Sequence, residues 1–95
     1  MPGNVDLFEK AMNQGHTAAW DQDWKRAASF YSQALGEFPD NIKALTSLGL
    51  AMVELQDYDE ALKYYQRATE YAPGDGVSME RVAELQERSG NTEQA

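Results

Sequence analysis

Pro39 and Pro73 lie 34 residues apart, and sliding the chain by that interval lays it over itself. Gly15 then meets Gly49, Gln22 meets Gln56, Asp23 meets Asp57, Ala27 meets Ala61, Tyr31 meets Tyr65 and Ala34 meets Ala68. Trp24 with Tyr58, Phe30 with Tyr64 and Phe8 with Ile42 are conservative pairs at the same offset. The shared residues are turn formers, small residues and aromatics. Self-similarity at one fixed period marks a repeat architecture, because one small unit cannot bury its own apolar face and must stack on a copy.

Each copy reads as helix, turn, helix. In the second copy, Leu45, Leu48, Met52 and Leu55 recur at helical spacing, which predicts a helix over 42–55 capped by Asp40 or Asn41. A second helix is expected over 58–71, opened by Asp57 three residues before Glu60, the spacing of a capping box, and ended by Pro73 and Gly74. The first copy gives helices over 5–21 and 24–38. The turns at Asp21-Gln22 and Gln56 are so short that the helices they join must run antiparallel. Strand-like alternation is absent, so the fold class is all-α.

Packing explains the shared residues. Gly15 and Gly49 are expected where paired helices approach most closely. Ala27 with Ala34, and Ala61 with Ala68, recur seven apart and form a flat stripe for a neighbouring helix. Tyr31 and Tyr65 are expected to fill the space between repeats.

These positions resemble the tetratricopeptide-repeat family, whose pattern runs Trp-x2-Leu-Gly-x2-Tyr, then Ala-x3-Phe, then Pro. The second copy matches with Leu45, Leu48, Gly49, Met52, Ala61, Tyr65 and Pro73. The first is looser, with Ala11, Gln14, Gly15, Ala18, Ala27, Tyr31 and Pro39, and its departures at Gln14 and Ala18 suggest thinner packing. The resemblance implies tandem helix-turn-helix repeats in a right-handed α-solenoid. It divides 1–95 into repeat 1 at about 8–41, repeat 2 at about 42–75, and a capping helix or partial third repeat over 76–95. In that last helix Val77, Met79, Val82, Ala83 and Leu85 are expected to face inward. Glu80, Arg81, Glu84, Glu87 and Arg88 are expected to face outward, with Glu84 placed to pair with Arg88. Asn91–Ala95 reads as the opening turn of another helix, and Gly90–Ala95 is expected to be mobile.

The 95 residues carry eight basic against sixteen acidic side chains, a net charge of −8 spread along the chain. Such a surface repels phosphate and anionic lipid, so nucleic acid and membrane are not expected partners, and a partner of basic or apolar character is favoured. No cysteine is present, which excludes disulfides, thiolate catalysis and cysteine-ligated zinc. The N-terminus has no basic, apolar signal pattern, and Leu48–Val53 is far too short to span a bilayer, so a cytoplasmic location is expected. No phosphate loop, His-Glu-x-x-His or Gly-x-Ser-x-Gly occurs. His16 is the only histidine; Asp21-Gln22-Asp23 lacks the rest of a calcium loop; Asp57, Asp59 and Glu60 suit a helix start. No enzyme activity, cofactor or metal is expected.

The family resemblance instead implies a concave groove lined by the first helix of each repeat. Met12, Asn13, His16 and Trp20 project there from the first repeat, Lys43, Thr46, Ser47, Leu50 and Val53 from the second, and Arg81 from the third. Met12, Trp20, Leu50 and Val53 are apolar residues not required by the expected core, which marks them as binding candidates. For Trp20 the competing expectation is a local cap folded over Phe8, Trp24 or the N-terminal segment. Chaperone-binding members of the family hold acidic peptide tails in a clamp whose positions correspond here to Met12, His16, Ser47, Val77 and Arg81. Only Arg81 has suitable chemistry, so an acidic tail is an unsuitable ligand. The expected function is a protein-interaction module or scaffold that holds a peptide or helix of a partner. The alternatives are a homo-oligomerisation or assembly module with weak self-association, and a non-catalytic appendage of a larger protein.

Overall fold

A computed structural model describes residues 3–74 and 76–94, with the side chains of Val77 and of residues 88–94 outside the description. It contains α1 (Val5–Trp20), α2 (Trp24–Glu37), α3 (Ile42–Glu54), α4 (Tyr58–Tyr71) and α5 (Gly76–Gln94), and no strand among the described residues. Each helix packs on the next in chain order, giving two stacked hairpins and a final helix.

Local chemistry sets the ends. Asn4, Asp23, Asn41 and Asp57 are the N-caps of α1 to α4, and each accepts a hydrogen bond from the backbone N–H three residues on. A cap of this kind contributes about 1 kcal/mol. Glu60 turns its carboxylate to Lys63 at 2.7 Å. The two hairpin turns are alike. Gln22 and Gln56 adopt left-handed φ of 60° and 63°. Around them Gln22 N–H donates to Ala19 O and Asp23 N–H to Ala18 O, while Gln56 and Asp57 donate to Val53 O and Met52 O. This pair of bonds closes a helix and satisfies its orphan carbonyls. Asp23 and Asp57 thus finish one helix with their N–H and start the next with their side chain. The repeated Gln-Asp pair is a turn device.

Ala27, Ala34, Ala44, Leu45, Ala51, Ala61 and Ala68 are fully buried, so the alanine stripe does receive a neighbouring helix. Burying a leucine such as Leu45 or Leu48 contributes about 1.5–3 kcal/mol. The two tyrosines, expected between repeats, belong to clusters that reach the next repeat, Tyr31 with Ala44 and Leu45 and Tyr65 with Leu85, and each also seats on a glycine of its own hairpin. A Cβ on Gly15 would stand 2.5 Å from Tyr31 Cε1, and one on Gly49 would stand 2.7 Å from Tyr65 Cε2. Each glycine is a seat for the aromatic ring of its own hairpin.

Helix α5 departs from its expected orientation. Ser78 and Leu85 are buried and Val82 half-buried, but Met79 is 55% exposed and Ala83 is exposed. Met79 and Ala83 border a groove beside Thr69 and Pro73 of the second repeat and are left uncovered there. Arg81 pairs with Glu84 at 3.2 Å. The placement expected for Val77, and the pairing expected of Arg88, lie outside the described side chains. The backbone of α5 continues through Gly90 to Gln94 with no new helix at Asn91, and Ala95 lies outside the described residues.

Candidate functional site

Helices α1 and α3 stand side by side on one face of the stack. Between them is a cavity of about 240 Å³ lined by Phe8, Glu9, Met12, Asn13, His16 and Lys43. Four residues singled out from the sequence therefore meet at one place: Met12, Asn13, His16 and Lys43. They come together because 9, 12, 13 and 16 share a face of α1, and Lys43 occupies the position of Glu9 one repeat later.

Met12 needs a correction. It is only 5% exposed and belongs to the main core, so it forms the floor of the cavity and also supports the fold. Val53 likewise is half-buried against the cluster of Ala61, Tyr65 and Leu85. Neither is dispensable for packing, because the next helix comes closer to both than helical spacing alone shows. Thr46 and Ser47 are half-buried, while Asn13, Lys43 and Arg81 are exposed. Leu50 is 41% exposed. Trp20, at the end of α1 and one turn beyond His16, is 88% exposed, so it does not fold back as a local cap.

The wall is held by a group that sequence reasoning assigned to packing. The Tyr31 hydroxyl and His16 Nδ1 share a hydrogen bond of 2.8 Å, with the rings edge-on at 5.4 Å. Burial pushes the Tyr31 phenol above its usual pKa. The phenol therefore stays protonated and keeps a proton to donate. The signal was present as a constant spacing of sixteen from Gly15 to Tyr31 and from Gly49 to Tyr65. It places the tyrosine opposite the glycine, and in the first repeat the hydroxyl reaches the residue after it. In the second repeat that next residue is Leu50, which cannot hydrogen bond. Burial also raises the Tyr65 pKa, with Arg81 opposing and Glu84 adding to the shift, so this ring stands near α5.

The electrostatics are mixed. Glu9 and Lys43 sit at the same cavity, and the Arg81 charge is shared with Glu84. Of the clamp positions, Met12 is core, His16 is bonded to Tyr31, Ser47 is half-buried, and the Val77 side chain lies outside the described set. Among the described residues no three acidic or histidine side chains converge as a metal site requires, and no helix is long and apolar enough to cross a membrane.

Comparison with known proteins places this geometry. The fold is similar to that of the TPR2B domain of yeast Sti1 in its pHsp70 complex, with a TM-score of 0.82 and 21% identity over 90% of this chain and 68% of that one. It is also similar to the TPR2AB domain of yeast Sti1 in its pHSP90 complex, with a TM-score of 0.84 and 22% identity over 92% of this chain and 34% of that one. At such identities the likeness is one of fold. The mouse tetratricopeptide repeat protein 16 is 32% identical over 71 residues, which are 75% of this chain and 9% of that protein. The tetratricopeptide-repeat family pattern matches residues 21–77, more than half of the chain. A helical repeat solenoid with a final helix, glycine-seated tyrosines and this match together make the chain a member of the tetratricopeptide-repeat family.

Proposed function

We propose that the chain is an interaction module that holds a peptide or helix of a partner protein against the α1–α3 face. The repeats over about 8–41 and 42–75, with the partial third over 76–95, act as one binding unit. The observation that carries this reading is Trp20, 88% exposed at the end of the α1 face. A tryptophan in water stabilises nothing in the monomer, and tryptophan is an enriched anchor residue at interfaces. Its neighbours on that face are the cavity above Met12, the polar His16–Tyr31 pair and half-exposed Leu50. A ligand would place an apolar side chain in the cavity and another against Trp20 or Leu50, with Asn13, Lys43, Thr46, Ser47, Val53 and Arg81 at its borders. Glu9 beside Lys43 and Glu84 on Arg81 leave the face little positive charge to hold an acidic tail, and the net charge of −8 favours an apolar or basic ligand.

Selection of ligands from a random peptide library, followed by mapping of the bound site by nuclear magnetic resonance, tests this. Trp20→Ala and Leu50→Asp should each weaken the selected peptide about tenfold or more, with circular dichroism unchanged. A selected peptide indifferent to both changes would place binding elsewhere. Tight binding of a peptide with an acidic tail would overturn the charge argument. A second reading, a non-catalytic appendage of a larger protein, is favoured by the mouse relative, of which the matched stretch is only 9%. The groove would then serve that larger protein.

A further inference from the structure

Helix α5 leaves a second apolar surface open. Met79, Val82, Ala83 and Gln86, with Thr69 and Pro73, line a shallow groove of about 320 Å³. The four α5 residues stand one period after Leu45, Leu48, Gly49 and Met52. In the second repeat Leu45, Leu48 and Gly49 are buried, and the Tyr65 ring of α4 rests on Gly49. The face of α5 therefore continues, in register, a surface that in the preceding repeat receives a helix. Ala83 holds the place of the seating glycine. Among the described residues this face is left open: Met79 is 55% exposed and Ala83 is exposed.

Charge narrows the occupant. Glu80 and Glu87, three before and four after Ala83, flank the groove along α5, and Glu70 follows Thr69 on the other bank; all three are exposed. A second copy of this chain, itself at net −8, meets this rim with repulsion. Head-to-tail stacking is disfavoured further. On the N-terminal end, Lys10 and Gln14 stand exposed where the second repeat buries Ala44 and Leu48.

We propose that the open face of α5 docks an amphipathic helix of a partner protein whose small-residue stripe is flanked by lysine or arginine. The small stripe lets the helix lie against Ala83, whose Cβ occupies the space that, one period earlier, Gly49 leaves for the Tyr65 ring. The basic flanks meet Glu80, Glu87 and Glu70.

Two synthetic peptides are the probes: one copying residues 57–74 with Tyr65 replaced by alanine, and one in which Asp59, Glu60 and Glu70 are also replaced by lysine. Each is titrated into the full chain while the methyl resonances of Met79, Val82 and Ala83 are followed. The basic peptide should shift these methyls and bind about tenfold more tightly than the acidic copy. The exposed substitution Ala83→Tyr should abolish binding, and Glu80→Lys with Glu87→Lys should reverse the preference between peptides, both with unchanged circular dichroism. Leu50→Asp should have no effect on this binding, which separates it from the α1–α3 face. Failure of both peptides to shift the methyls would overturn the proposal, as would equal affinity for the two. Dimerisation in sedimentation that Ala83→Tyr abolishes would also overturn it, by making a second copy the occupant.

Discussion

The two hairpins are built on one plan and differ where the stack makes them differ. Both have a left-handed glutamine turn, an aspartate cap and a tyrosine seated on a glycine. Yet Leu48 is 1% exposed, while its first-repeat equivalent Gln14 is exposed. Leu48 has a repeat in front of it and Gln14 faces solvent. Likewise Tyr31 has a histidine to bond, whereas Tyr65 lies within the field of Arg81 and Glu84. Turns, caps and glycine seats are copied; the outer faces diverge with the neighbour each hairpin has, and the polar partner of the tyrosine diverges with the residue that follows the glycine.

The sharpest way to break this comparison is to truncate the same position twice. Leu48→Ala should cost about 2–5 kcal/mol, since it leaves a cavity in the main cluster. Gln14→Ala should change stability by no more than about 0.5 kcal/mol. Urea denaturation of both variants checks this, and equal costs would mean that the first repeat is packed on its outer side as well. A smaller difference is expected at the tyrosines. Tyr31→Phe should cost about 0.5–1.5 kcal/mol through loss of the bond to His16. Tyr65→Phe should cost less, and thermal melts of the pair should rank them so; the reverse order would assign Tyr65 the stronger polar contact. The smallest effect should be the same in both hairpins. Gln22→Gly and Gln56→Gly should each stabilise by up to about 1 kcal/mol, because glycine takes a positive φ without the strain of a side chain. A gain in one hairpin and a loss in the other, measured by chemical denaturation, would show that the two turns are not equivalent.

Much of the fold was legible because its signals are local. Asp57 three residues before Glu60 identified a cap, and the structure has Asp57 accepting from the Glu60 N–H. The choice between Asp40 and Asn41 was left open by the sequence; geometry selects Asn41, whose side chain reaches Ala44 N–H. The candidate site was legible only in part. The family resemblance placed Met12, Asn13, His16 and Lys43 on the groove, and helical spacing supported Asn13 and His16 on one face. All four line one cavity. Spacing could not show that Met12 is also a core residue, or that Tyr31 crosses its hairpin to hold His16. The orientation of α5 was misread for a related reason. Met79 and Val82 both belong to an apolar stripe, but that stripe is wider than the surface that α3 and α4 offer to it.

What the sequence determined by itself is the period, the helix boundaries and the turn chemistry, because caps, left-handed closures and apolar spacing act within a few residues of chain. Only the tertiary structure decided which apolar side chains remain in water. The exposure of Trp20 and Met79, and the burial of Met12, depend on how closely another helix lies, and a helix carries no mark of whether its neighbour is present.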